Sequence, residues 1–327
     1  MNEAQLSPEF FLRRRKSTYR RLIILGTVGL FLIGGVLFYR EFWYRHPIGE
    51  GPVAIAVDRK PFESVWSERP VLLLGLGDSV TDGFGAGPGM SYFDRVAKNS
   101  SSEFGDMQGI SLQNVLPHLQ VRNDAISGTT SIELLEFSLP RIEAQPENVF
   151  GIVLLTTGGN DIIHNYGRTP PREGAMYGTT LEQAEPWVRN FRTRLDQILH
   201  EIETRFPGGC EIFLANIYDP TDGAGDAEHA GLPAWRDGLK IIAAYNQIIG
   251  EACERHDHVH LINIHSAFLG HGIHCRKFWK GSYVSADPHY WYYANLEDPN
   301  DRGYDAIRRL VLNAIAEVVL GTLADSQ

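Results

Sequence analysis

From residue 71 onward, short uninterrupted apolar runs alternate with stretches in which apolar positions recur every three or four residues. The runs are "VLLLGL" (71–76), the centre of "HLQVRNDAI" (118–126), "VFGIVLLTTGGND" (149–161), "CEIFLANIY" (210–218) and "HVHLINI" (258–264). Each is short and bounded by turn residues, so each predicts a strand, the first buried and the third apolar throughout as a central parallel strand should be. Helical spacing marks "YFDRVAKNSSSEF" (92–104), "SIELLEFSLPRIEAQ" (131–145), 184–206, 235–255 and 301–321. Strand–helix alternation predicts an α/β fold, a parallel sheet with helices on both faces. Ligand sites in such sheets lie beyond the carboxyl ends of the strands. Two stretches rich in Gly, Pro, Asp and Thr, 162–180 and 218–234, are long enough to be functional loops.

Ahead of this pattern lies "LIILGTVGLFLIGGVLFY", Leu22 to Tyr39, with no charge. As a helix it spans roughly 27 Å, enough to cross a hydrocarbon core. Net charge is −10 over the 327 residues, which argues against a nucleic-acid partner, yet Arg13, Arg14, Arg15, Lys16, Arg20 and Arg21 crowd the N-terminus. Positive charge before the span predicts a cytoplasmic N-terminus, and Phe42, Trp43 and Tyr44 stand where an interfacial aromatic belt would lie. A cleaved signal peptide is the rival reading, but no small-residue cleavage pattern ends the run. The expected organisation is a basic cytoplasmic tail (1–21), a transmembrane anchor (22–39), a linker (40–69) containing one short strand in "VAIAV", and an extracytoplasmic domain (70–327), periplasmic or extracellular. Three cysteines, Cys210, Cys253 and Cys275, allow one disulfide or none and fit no metal motif.

Polar residues cluster where the first three strands end. The first runs into "GLGDSVTDGFGAG", placing Ser79 among glycines, a suitable position for an exposed nucleophile. There is no G-K-[ST] phosphate loop, no G-x-G-x-x-G fingerprint and no G-x-S-x-G elbow. The second strand leads to Gly128 in "RNDAISGTTS" and the third to Asn160 in "TTGGND". A backbone amide, the Gly128 amide and the Asn160 side chain, converging near the serine, would form an oxyanion hole.

"GDSV", "NDAISGTTS" and "GGND" resemble, in order and spacing, the first three blocks of the SGNH hydrolase superfamily, the GDSL-type esterases and lipases. The resemblance covers residues 70 to 320. It implies a flavodoxin-like three-layer α/β/α sandwich, Ser79 as nucleophile, and the Ser79 and Gly128 amides with Asn160 as oxyanion hole. The fourth block of that family, D-x-x-H-P-N-x-x-G, is only half kept. "PNDRG" matches, but Asp298 stands where the histidine would be and Asn295 where the aspartate would be. Asp287 and His289 lie just upstream in "DPHYWYYANLEDPNDRGYDAI", so an insertion of the aromatic stretch would restore the catalytic pair. Either Asp287 or Asp298 could orient His289, and His271 and His274 are rival bases. "HDHVHL" sets His256, His258 and His260 at alternate positions, but no ligand partner stands at a recognisable spacing, so no metal site is expected.

The expected protein is a membrane-anchored serine hydrolase acting on a small-molecule, glycan or lipid ester through an acyl-enzyme, with Ser79, Asp287 and His289 catalytic. No cofactor is implied. Tyr290 to Tyr293, Phe278 and Trp279 either line the cleft or pack the insertion onto the domain. The alternative is a non-catalytic SGNH-like domain that binds glycan or lipid.

Overall fold

The computed structural model describes residues 8–324, with side chains from Thr18 to Leu323. The chain divides after His46. The first unit contains helix α1 (Pro8–Tyr39) and a π-turn over Arg40–Tyr44. Thr18–Tyr44 is long and apolar enough to cross a membrane, and its apolar side chains are exposed. Part of the basic tail expected over 1–21 lies outside the described residues.

The second unit is built on five parallel strands: β1 (Val71–Gly77), β2 (Leu119–Asn123), β3 (Phe150–Thr156), β4 (Cys210–Ala215) and β5 (Val259–Ile262). Their order is β2-β1-β3-β4-β5. This is the doubly wound arrangement whose strand order reverses between β1 and β3, opening a crevice at their carboxyl ends. Short helices α2 (Ser79–Asp82), α3 (Tyr92–Ala97), α4 (Leu112–Val115), α5 (Ser131–Glu133) and α6 (Gly159–Ile163) follow the first three strands. Longer helices α7 (Leu181–Thr204), α8 (Gly238–Arg255) and α10 (Asp301–Ala324) and the short α9 (Ile264–Phe268) complete the unit. The central strands β1, β3 and β4 are buried along their whole length, so alternate residues feed two separate cores. Leu73, Ile152 and Phe213 pack with α3 and α10, whereas Leu74, Val153 and Ile212 pack with α7 and α8.

Three local expectations come out differently. The helix expected over 92–104 stops at Ala97, where Lys98 turns extended. The helix expected over 131–145 breaks into one α-turn, a π-turn and a 3₁₀ turn at Leu139–Arg141; Pro140 supplies no N–H to continue it. "VAIAV" forms no strand. Residues 47–69, placed in the linker, pack on the domain through buried Val53, Phe62 and Trp66. Their backbone groups pair with α10 side chains: Val53 N–H donates to Asp305, and Arg302, Arg309 and Asn313 donate to the carbonyls of Gly51, Ile55 and Ala56. A segment so satisfied needs no neighbouring strand.

β1 crosses into the functional loop at Gly77, which has φ +115°, and a Cβ there would lie 1.7 Å from the Thr156 carbonyl oxygen. Gly77→Ala is expected to destabilise the domain by about 3 kcal/mol or more, because backbone rather than a flexible side chain must move. The shift of the urea unfolding midpoint measures it, and an unchanged midpoint would contradict this account.

Candidate active site

Ser79 opens α2 directly after β1 and is 9% exposed. The preceding residue, Asp78, caps α2 by accepting the Val80 N–H, and it accepts a 2.7 Å bond from the Thr156 hydroxyl at the end of β3. Burial pushes the Asp78 carboxyl up to about 6, against the lowering effect of these bonds. Strand ends β1 and β3 are thus clamped together beneath the serine. The second block is clamped from the other side: the Ser127 hydroxyl donates to Asp82 at 2.5 Å, and Ile126 N–H to the Gly77 carbonyl.

Gly128 has φ +84° and open space where a side chain would be. Among the described residues, neither its amide nor that of Ser79 donates within the protein. The buried Asn160 side chain reaches across from α6 and donates one N–H to the Thr129 carbonyl at 3.1 Å, leaving its second N–H available. Its neighbour Asp161, fully buried, accepts from both the amide and the hydroxyl of Ser131 and pairs with Arg194. The final D of "GGND" was the available signal for this tie, which holds the second and third blocks in register.

The fourth block comes to the serine through its altered positions. Asp298 is 2% exposed and lies against Ser79, in a contact short of regular hydrogen-bond geometry. Its Oδ2 accepts from Asn295 Nδ2 at 2.6 Å, while Oδ1 is buried without a well-formed bond. Burial raises the Asp298 pKa, and Ser79 and Asn295 oppose the rise. Glu297 beside it is pushed up to about 7 by burial and by the Asp298 charge.

Asp287 and His289 do pair, Nδ1 to Oδ1 at 2.5 Å, but their other partners lie elsewhere. Asp287 also receives Arg302 at 2.8 Å, and the His289 ring packs over Gly49. Arg302 and Tyr304 are two residues apart on α10, hence about 200° apart around its axis. Tyr304 faces the Ser79–Phe84 backbone, its hydroxyl 2.7 Å from the Phe84 carbonyl. The pair is therefore held on a different side of α10 from Ser79, and among the described residues His289 makes no hydrogen bond to the serine. The rival histidines have structural partners. His271 stacks on Trp291 at 3.5 Å and donates to the His289 carbonyl, and burial pushes it down to about 4. His274 bonds Asp226.

The aromatic run splits in the same way. Tyr290, Trp291 and Tyr292 are buried, and Asn300 donates to the Tyr290 and Tyr292 carbonyls. Tyr293 is exposed and packs on Phe84 and over Gly85. The run packs the insertion onto the domain and does not line the cleft. His258 and His260 both approach Glu211 on β4, and among the described residues no cluster of three or more candidate ligands could hold a metal. The three cysteines are free thiols.

Asp78, Ser79 and Asn160 line a cavity of about 130 Å³. Its walls are mostly apolar, with Ile162, Tyr177, Ile217, Leu232, Trp235 and Ile242, although Asn216, Asp219, Thr221 and Glu297 also line it. The two long loops supply much of this wall. They are joined by Trp235 Nε1 donating to the Thr179 carbonyl and Tyr177 hydroxyl to the Pro233 carbonyl, both at 2.6 Å.

A doubly wound α/β domain with a serine at the end of its first strand, beside unengaged amide donors, has the architecture of a serine hydrolase acting on ester bonds. The chain belongs to the GDSL-like lipase/acylhydrolase family, whose model matches residues 76–306. No curated protein matches the chain. Solved structures with a similar fold include an extracellular lipase from Streptomyces rimosus (18% identity, covering 75% of this chain and 99% of that one, TM-score 0.46). A phospholipase A1 from Streptomyces albidoflavus has 18% identity, coverage of 74% and 98%, and TM-score 0.46. A catalytic mutant of an acetylxylan esterase from Geobacillus stearothermophilus has 17% identity, coverage of 76% and 94%, and TM-score 0.46.

Proposed function

We propose that this hydrolase is anchored in a membrane by α1, faces the extracytoplasmic side, and cleaves esters whose acyl group is apolar and larger than acetyl. Ser79 attacks the ester carbonyl. The Ser79 and Gly128 amides and the Asn160 side chain hold the oxyanion, and water releases the acyl-enzyme. One observation carries the substrate class: the cavity at Ser79 is walled mostly by isoleucine, leucine and aromatic side chains. Its volume of about 130 Å³ is close to that of a dry apolar cavity of about 150 Å³ known to accept benzene. An acyl group of about four to six carbons fits, and an acetylated sugar would place hydroxyls on a surface with few partners for them. The basic cluster ahead of the apolar span supports the orientation.

The test uses full-length protein and para-nitrophenyl esters of increasing chain length. Each buried methylene adds about 0.8 kcal/mol at most, so kcat/KM for hexanoate should exceed that for acetate by about 10- to 100-fold. Preference for acetate would refute the substrate class. The same preparation should remain in the membrane pellet after carbonate extraction; release, or a mature N-terminus beyond residue 35, would refute the anchor.

A further inference from the structure

We propose that Asp298, positioned by Asn295, is the general base for Ser79, in the place that the family motif gives to histidine. The inference rests on the reading of Ser79 as nucleophile and concerns what takes its proton. Three observations converge on it. Asp298 lies against the Ser79 side chain, whereas the Asp287–His289 pair is engaged with Arg302 and Gly49. Its two oxygens are unequal: Asn295 Nδ2 occupies Oδ2 at 2.6 Å, and Oδ1 is buried and left without a well-formed bond. An unpaired buried carboxylate oxygen costs free energy, and a catalytic task is one reason for a fold to keep it. The loop is also fixed firmly enough to aim it. Asn295 Oδ1 accepts the Asp298 N–H, the Asp298 carbonyl accepts the Tyr293 N–H at 2.7 Å, and the Tyr218 hydroxyl holds the Glu297 carbonyl.

The chemistry balances without a histidine. The Ser79 hydroxyl proton passes to Asp298 Oδ1 as Oγ bonds the ester carbon and the carbonyl electron pair moves onto the oxyanion. When the tetrahedral species collapses, the ester C–O bond breaks and the Asp298 proton goes to the leaving alkoxide. A water then repeats the sequence, giving its proton to Asp298, and Ser79 Oγ recovers that proton as the acid departs. A carboxylate is ordinarily too weak a base for a serine. Here burial favours its neutral form, and the surroundings add repulsion. The Asp82 charge from the first block adds to the rise, and Asp298 in turn pushes up Asp78, Glu297 and the neutral hydroxyls of Tyr218 and Tyr304 around it. Protonating Asp298 relieves that repulsion. The base acts ionised, so kcat/KM should fall as pH drops through a carboxylate limb above the usual aspartate value.

The experiment compares Asp298→Asn, His289→Ala and the double change Asn295→Asp with Asp298→His in full-length, detergent-solubilised protein. Hydrolysis of para-nitrophenyl hexanoate and labelling by a fluorophosphonate are followed, with thermal unfolding as the check on folding. Asp298→Asn should lower kcat by about 10³-fold or more with KM changed less than about 3-fold. His289→Ala should stay within about 3-fold of the parent. The double change rebuilds the family's aspartate–histidine pair, and its activity should exceed that of Asp298→Asn, with the acid limb moved to the imidazole range near 6.5. If Asp298→Asn keeps more than about a tenth of parent activity, or His289→Ala is as inactive as Ser79→Ala, the assignment is overturned. A parent protein that neither hydrolyses esters nor is labelled would overturn the nucleophile reading along with it.

Discussion

Ser79→Ala is expected to lower kcat by about 10³-fold or more, with the fold intact. The hydroxyl is the only group removed, and the structural bonds of this residue run through its backbone. Its carbonyl accepts the Gly83 and Phe84 amides, both near 3.0 Å or below. The clamp between β1 and β3 belongs to Asp78 and Thr156, which the substitution leaves alone. Thermal unfolding should therefore move by no more than a few degrees. The assay is initial-rate hydrolysis beside fluorophosphonate labelling, which should disappear. More than a tenth of parent activity would remove Ser79 from the role.

Asn160→Ala carries the second largest expected effect, about 10²–10³ in kcat with KM nearly unchanged. The reason is the division of its two N–H groups. One is committed to the Thr129 carbonyl at 3.1 Å, which fixes the amide plane. The other is left to meet charge that develops only as the carbonyl oxygen becomes an oxyanion. Loss of the Thr129 bond should also cost about 1 kcal/mol of stability. A change confined to KM would show that Asn160 binds the ground state instead.

Much of the scaffold was legible in the chain. The five apolar runs became the five strands; β1, β3 and β4, buried on both faces, carry bulky apolar residues throughout, whereas the edge strand β2 is largely exposed. Glycine, serine and asparagine at the first three strand ends pointed to chemistry there, because a parallel sheet delivers every such end to one edge. Other features depended on partners far away in sequence. "VAIAV" has a strand's composition, yet its polar groups are taken by α10 side chains about 250 residues away, such as Arg309 bonding Ile55. Tyr290 to Tyr292 read equally well as cleft or core, and only their burial under the Pro299–Asn300 turn separates the two.

The fourth block marks the boundary between the two kinds of knowledge. Local sequence made the Asp287–His289 pair available, since two residues of extended chain put both side chains on one side, but it did not choose Asp287 over Asp298 as the partner. It also determined that Pro299–Asn300 would turn the chain into the last helix, with Asn300 capping amides two and three residues on. Where the Asp287–His289 pair is held depends on the rotation of α10 about its axis. Its packing against α3, α9, β4 and β5 turns Tyr304 toward the Ser79–Phe84 backbone and Arg302, with Asp287 on it, to another side. That rotation follows from apolar and ionic contacts along the whole helix, including buried Arg95, Asp305 and Arg308. No single motif contains them, because packing is a property of many distant residues at once.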